Sequence, residues 1–127
     1  MVGTLTSVGS VLLLCKLMAV NASMTSALLP KSVTTAIAIA ISENLGGIPG
    51  VTAAAVVIAG VVGAIFAPTF AKLFRITDPV AEGVAIGACS HALGTAKALE
   101  IGTLQGAMGS VSLCICGILT SILVVFF

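Results

Sequence analysis

The chain is 127 residues long, 59% hydrophobic and 7% charged, without Trp or Tyr, and its mean hydropathy is +1.31. A soluble domain covers its surface with about 25% charged residues, so this composition excludes one and leaves a bilayer as the main solvent. The formal charge of +1 brings none of the clustered Lys and Arg that nucleic-acid binding needs. At about 20 apolar residues per span the length holds roughly five hydrophobic segments and no soluble catalytic module. The expected class is an all-α integral membrane protein, a single transmembrane domain over residues 1–127.

Segment A, from about Val2 to Val20, is a plain span with Lys16 near its end, where a long side chain reaches the interface. Its start, Met1-Val2-Gly3-Thr4, lacks the positive region and the cleavage site of a secretory signal, so it reads as retained. Segment B, Ala27 to Leu45, opens on the polar, proline-marked stretch Leu29-Pro30-Lys31-Ser32-Val33-Thr34-Thr35. It then becomes the apolar run Ala36 to Ile41 and closes at Ser42-Glu43-Asn44-Leu45-Gly46-Gly47. That pattern predicts a broken or re-entrant helix.

Segment C, Pro49 to Phe74, has Pro in its first turn, where a missing N–H is tolerated, and ends on Lys72-Leu73-Phe74-Arg75. It is the clearest span. Segment D, Pro79 to Ile101, carries Cys89-Ser90-His91-Ala92-Leu93-Gly94-Thr95-Ala96-Lys97 at its centre, too polar for a helix facing lipid. Segment E, Ala107 to Phe127, is apolar to its last residue.

Offset by 60 residues, the chain matches Thr35 with Thr95, Ala36 with Ala96, Ile41 with Ile101 and Gly46 with Gly106. B and D are therefore the related elements of a ~60-residue internal repeat. Short cytoplasmic loops collect Lys and Arg. Lys16 and Lys31 flank the A–B loop, Lys72 and Arg75 the C–D loop, so both loops are assigned to the cytoplasmic face, with B and D crossing fully. The spacings Gly83-xxx-Gly87 and Gly102-xxx-Gly106 suit close helix packing. Cys15, Cys89, Cys114 and Cys116 form no CxxC pair and read as small buried hydrophobes; no metal set or cofactor is implied.

Backbone groups freed at a helix break persist in a membrane only where they are buried in protein or line a cavity. Half-helix N-termini there present partial positive charge to anionic groups. The candidate substrate-binding residues are accordingly Pro30, Lys31, Ser32, Thr34 and Thr35 from B, with Ser90, His91, Gly94, Thr95 and Lys97 from D. Ser32 or Thr34 is expected to cap the half-helix after Pro30, and Ser90 or Thr95 the one near Gly94. Thr34, Thr35 and Thr95 have a second reading, back-bonding within their own helices, and Lys31 a second one as an interfacial anchor. His91 is an ionisable group in mid-segment, a functional candidate by default. The set suits a small carboxylate, with the two breaks meeting in one anion site.

The runs Leu29 to Ala38, Leu45-Gly46-Gly47-Ile48-Pro49-Gly50-Val51-Thr52-Ala53 and Ser90 to Glu100 together resemble the LrgB/CidB family. The resemblance begins at about Leu12 and covers the later half of a usual member. It departs at Ala36, where proline is common, and at Lys97, where arginine is common; lysine lacks the bidentate geometry of arginine. The resemblance implies two activities. One is movement of small monocarboxylates such as pyruvate, glycolate or glycerate. The other is an antiholin-like regulation of murein hydrolase export and lysis with an LrgA/CidA-like membrane partner. A structural membrane subunit is a third reading, and no nucleophile–base pair suggests an enzyme. The resemblance implies a multi-pass protein of the cytoplasmic membrane, or of the plastid inner envelope in a eukaryote. A half-length member that leaves polar faces uncovered is expected to form a homo-oligomer.

Overall fold

The computed structural model describes residues 2–125. Among them the ordered elements are six helices and no strand: α1 (Val2–Leu17), α2 (Ala22–Leu28), α3 (Thr35–Asn44), α4 (Pro49–Leu73), α5 (Pro79–Ile101) and α6 (Thr103–Val125). Two of them, α4 and α6, are long and apolar enough to cross a membrane. The five expected segments become six helices because a short helix, α2, forms in the expected A–B loop and ends just inside the start of B, whose apolar run is α3. Helix α2 starts at Ala22 because Asn21 Oδ1 accepts from Met24 N–H at 2.8 Å, an N-cap.

Large apolar side chains face outward. On α1 the buried stripe is Thr4, Val8, Val11 and Cys15, while Leu5, Leu13, Leu14 and Leu17 are exposed. On α4 the residues Val57, Ile58, Val61, Val62, Ile65, Phe66 and Phe70 are exposed, whereas Thr52 is fully buried. Spacing of four, three and four residues keeps each stripe on one helical face, and the outward face is what a lipid solvent accepts.

The chain forms two compact units. One takes in the chain up to Val57 and from Cys116 onward, the other Ile58–Ile115.

In the first unit, Val8, Leu29 and Val124 form a core that Leu12, Ile41 and Leu45 partly cover, and Val33, Ala38 and Val56 form a second. Segment B does not run as one straight helix. Thr52 Oγ1, on α4, donates to the Ala27 carbonyl at 2.9 Å and lies 2.7 Å from Ser42 Oγ, so the chain leaving Ala27 comes back to it 20 residues later, at Gly47. A Cβ on Gly47 would stand 2.8 Å from the Ala27 nitrogen, so only glycine allows that closure. The seven residues of α2 and ten of α3 measure about 10 and 15 Å, against about 30 Å of hydrocarbon. B is thus a broken helix that folds back toward Ala27, and not the single straight span that the loop charges suggested.

In the second unit α5 doubles back. His91 has φ 51° and ψ −141°, non-helical values inside the run. In a straight helix Ile86 and Gly94 would be about 12 Å apart along the axis. Here a Cβ on Gly94 would lie 3.2 Å from Ile86 Cγ2 and would overlap Ser90 Cβ. Residues 79–90 and 92–101 are thus two antiparallel arms, each shorter than a single span needs, and D too is a broken helix. α6 runs along both arms. A Cβ on Gly87 would overlap the Gly109 backbone, and one on Gly109 would be 3.3 Å from the Gly83 carbonyl oxygen and 3.6 Å from Thr95 Oγ1. Ser112 Oγ donates to the Val84 carbonyl at 3.0 Å. The Gly83–Gly87 spacing therefore packs against α6, as small residues in membranes do. Gly102 instead sits in the extended α5–α6 joint (φ −179°, ψ 154°), so it does not share a helical face with Gly106.

Three helices end alike. Beyond α1, Ala19 (φ 50°) is followed by Val20 N–H donating to the Cys15 carbonyl at 2.9 Å. Beyond α3, Gly46 (φ 70°) is followed by Gly47 N–H to Ser42 at 2.7 Å, and beyond α4, Arg75 (φ 52°) by Ile76 N–H to Ala71 at 2.9 Å. These are Schellman turns with a left-handed residue at the position that usually holds glycine. The first and third also share sequence, Lys16-Leu17-Met18-Ala19-Val20 and Lys72-Leu73-Phe74-Arg75-Ile76. Each leads into a side-chain cap: Asn21 as above, and Asp78 Oδ1 accepting from Val80 N–H at 3.1 Å.

Candidate functional site

Each unit places polar groups at a discontinuity. In the first, Pro30 and Ser32 are buried and Lys31, Thr34 and Thr35 half-buried. Lys31 N–H donates to Leu28 and Val33 N–H to Pro30, at 3.2 and 3.3 Å, so the break is two tight turns, followed by extended Thr34 (φ −63°, ψ 149°). Thr34 occupies the N-cap of α3 without a side-chain cap bond, and Ser32 is engaged elsewhere: its hydroxyl is hydrogen-bonded to that of Ser7 on α1. Lys31 Nζ also reaches Ser7 Oγ, at 3.5 Å. Neither expected side-chain cap is made, and the first N–H groups of α3 open toward the break with the partial positive charge of a helix start. Ser7 is a residue the sequence reading missed. Its signal is a hydroxyl three residues from Thr4 on the inward side of an otherwise apolar helix.

In the second unit Ser90, His91, Gly94 and Thr95 are all buried, His91 to 3% exposure. The turn lies at His91 and not at Gly94, which is helical. Gly94 is needed because the returning arm passes against Ser90, and α4 presses from another side, where a Cβ on Gly63 would lie 2.6 Å from Ser90 Cβ. Thr95 Oγ1 donates to the His91 carbonyl at 2.8 Å, the back-bonding geometry and not the expected cap. The second arm thus starts at Ala92 with His91 at its N-cap position, and its first N–H groups face the turn. Lys97 is not gathered with this set: its Nζ is paired with Glu100 at 2.6 Å, both side chains partly exposed. Cys15 and Cys116 are buried as expected, but Cys89 and Cys114 are exposed, because both lie on outward helical faces.

Chemically, each break offers a half-helix N-terminus with hydroxyl groups close by. In the first break an ammonium group accompanies them, and in the second an imidazole. Such a start attracts an anion with about half an elementary charge and holds it through backbone N–H groups.

The LrgB-like family matches the chain over residues 1–127. A Bacillus subtilis (strain 168) protein named YxaC is 50% identical over 94 residues, covering 74% of this chain and 41% of its own length. Proteins named antiholin-like protein LrgB from Bacillus mycoides (strain KBAB4) and Bacillus cereus (strain B4264) are each 36% identical over 126 residues, covering 99% of this chain and 55% of theirs. The chain spans about half the length of the curated relatives it matches, and no solved structure matches it. With its whole length inside one family, the chain is an all-helical membrane protein that belongs to the LrgB-like family.

Proposed function

We propose that the protein moves small monocarboxylates of the pyruvate, glycolate or glycerate class across the cytoplasmic membrane by alternating access, as a multi-pass protein. The observation that carries this reading is the reversal of α5 at His91. It buries Ser90, His91 and Thr95 beside a half-helix N-terminus in a chain whose exposed surface is apolar, and such irregular backbone at membrane depth belongs beside a substrate cavity. The α2–α3 break repeats the arrangement with Pro30, Lys31, Ser32, Thr34 and Thr35. At the 60-residue offset Lys31 matches His91, each at its own break. Weak holding by a helix start suits a site that must also release.

In this reading the chain works as a homo-oligomer. A native mass in detergent tests that, and a monodisperse active monomer would overturn it. Uptake of radiolabelled pyruvate, glycolate and glycerate into proteoliposomes tests transport. Saturable uptake that His91→Ala lowers about tenfold is expected, and uptake no faster than in protein-free vesicles would sink the proposal. His91→Gly is the paired variant: glycine fits the φ of that turn, so it keeps the fold while removing the imidazole.

A second reading, antiholin-like regulation of murein hydrolase export with a small membrane partner, is favoured by the antiholin-like names of the Bacillus relatives. Lysis altered by the protein, with uptake absent, would select it.

A further inference from the structure

We infer that the α4–α5 corner binds an anionic phospholipid, a proposal that does not rest on the carboxylate reading above, although the apolar end of the site reaches Ser90. Two cavities meet there. The first, of about 380 Å³, runs between α4 and the first arm of α5, from Ser90 to Glu82, and its walls are almost wholly apolar: Gly63, Ala67, Phe70, Phe74, Ala85 and Ile86. The second, of about 620 Å³, shares Ala71, Ile76 and Glu82 with the first and adds Lys72, Arg75 and Thr77. Both fall in the size range of ligand sites, about 300–1,000 Å³.

The pair makes an amphipathic receptacle, an apolar channel long enough for part of an acyl chain opening into a chamber with two cations. Lys72 and Arg75 are exposed, and among the described residues neither makes an ion pair, the one salt bridge being Lys97–Glu100. Of the acidic groups nearby, Glu82 lines the chamber and Asp78 stands at the start of α5. Gln105 Nε2 donates to Glu82 at 3.3 Å, and Asp78 caps α5 through Val80 N–H. The chamber lining sets Lys72 and Arg75 against Glu82 and so carries one net positive charge, and basic pockets between membrane helices are where anionic headgroups bind. A free small anion would use only the chamber and leave the apolar channel empty. A neutral lipid would use the channel and leave the chamber's net positive charge unmatched. An anionic phospholipid fills both, and the bilayer supplies it.

Arg75 makes the test clean, because it is the left-handed residue of the Schellman turn after α4 (φ 52°), where glycine is favoured. Arg75→Gly removes the charge without endangering the turn. Delipidated protein given equal phosphatidylglycerol and phosphatidylcholine, then analysed by native mass spectrometry, is expected to retain phosphatidylglycerol preferentially. Lys72→Gln and Arg75→Gly should each lower that preference roughly fivefold, with the unfolding temperature unchanged or raised. Ala85→Phe, which fills the channel, should lower retention of both lipids. Equal retention of the two lipids by the unaltered protein, or a preference that survives the double variant Lys72→Gln/Arg75→Gly, would overturn the site. Oleate displacing phosphatidylglycerol at equal concentration would overturn the assignment to a phospholipid.

Discussion

Ser90 rests on Gly63: a Cβ at position 63 would stand 2.6 Å from the Ser90 Cβ and 3.1 Å from its Cα. Position 63 on α4 therefore sets where the first arm of α5 can end, and hence where the chain can reverse. Gly60, one turn earlier, meets only the side chain of Leu93, at 3.1 Å from Cδ1, which can rotate away.

Gly63→Ala should accordingly destabilise by about 1–3 kcal/mol, the usual cost of forcing atoms into a packed site, and should impair uptake. Gly60→Ala should cost much less. Gly9→Ala, with nothing within 4 Å on α1, should stabilise by about 0.5–1 kcal/mol. Thermal unfolding in one detergent ranks the three, and equal effects at 60 and 63 would contradict the contact described.

Thr95→Val removes the 2.8 Å bond to the His91 carbonyl while keeping the side-chain shape. A buried carbonyl stripped of that donor costs about 1 kcal/mol, so uptake should fall about fivefold, and Thr95→Ser should restore it. Unchanged uptake in the valine variant would remove Thr95 from the carboxylate machinery.

Two buried threonines should respond oppositely to valine. Thr52 ties Ala27 and Ser42 together, so Thr52→Val leaves a carbonyl and a hydroxyl unsatisfied and should cost about 1–3 kcal/mol. Thr120 Oγ1 is buried with no hydrogen-bond partner among the described residues, so Thr120→Val removes an unmet polar group and should stabilise. Urea or thermal midpoints of the two variants decide the signs.

Ala19→Gly should stabilise by about 1 kcal/mol, because a left-handed φ of 50° disfavours any residue with a Cβ. Gly46→Ala, at φ 70°, should destabilise by a similar amount. Measured stabilities that move together would mean that the two turns are not equivalent.

Much of this architecture was legible from residue types. The bounds of α5, Pro79–Ile101, agree with segment D, because Asp78-Pro79 is a strong helix start and Gly102 a strong stop. The polar run at Pro30 was readable as a break, since proline and clustered hydroxyls have few uses in an apolar helix. What could not be read was direction. Whether the chain goes on or turns back at His91 depends on one backbone conformation at a residue that is not glycine, and on contacts between Gly94 and Ser90 that a single-helix picture does not contain. The loop charges pointed to full crossings because that rule assumes every segment spans. Ser7 and Thr52 stayed hidden for a related reason: a lone hydroxyl in an apolar run looks like a tolerated surface residue until the fold shows it facing inward.

The stripes of Thr4, Val8, Val11 and Cys15 on α1, and of Gly106, Gly109, Ser112, Cys116 and Thr120 on α6, put the small and polar residues inside and the large aliphatic ones outside. Tolerance to mutation should then follow side-chain volume more than hydrophobicity. Outward Leu13 or Ile118 will exchange freely among Ile, Val, Met and Phe. An inward glycine will reject even alanine, although alanine is the more hydrophobic of the two. A saturation scan would see this fold most clearly as a pattern of forbidden sizes.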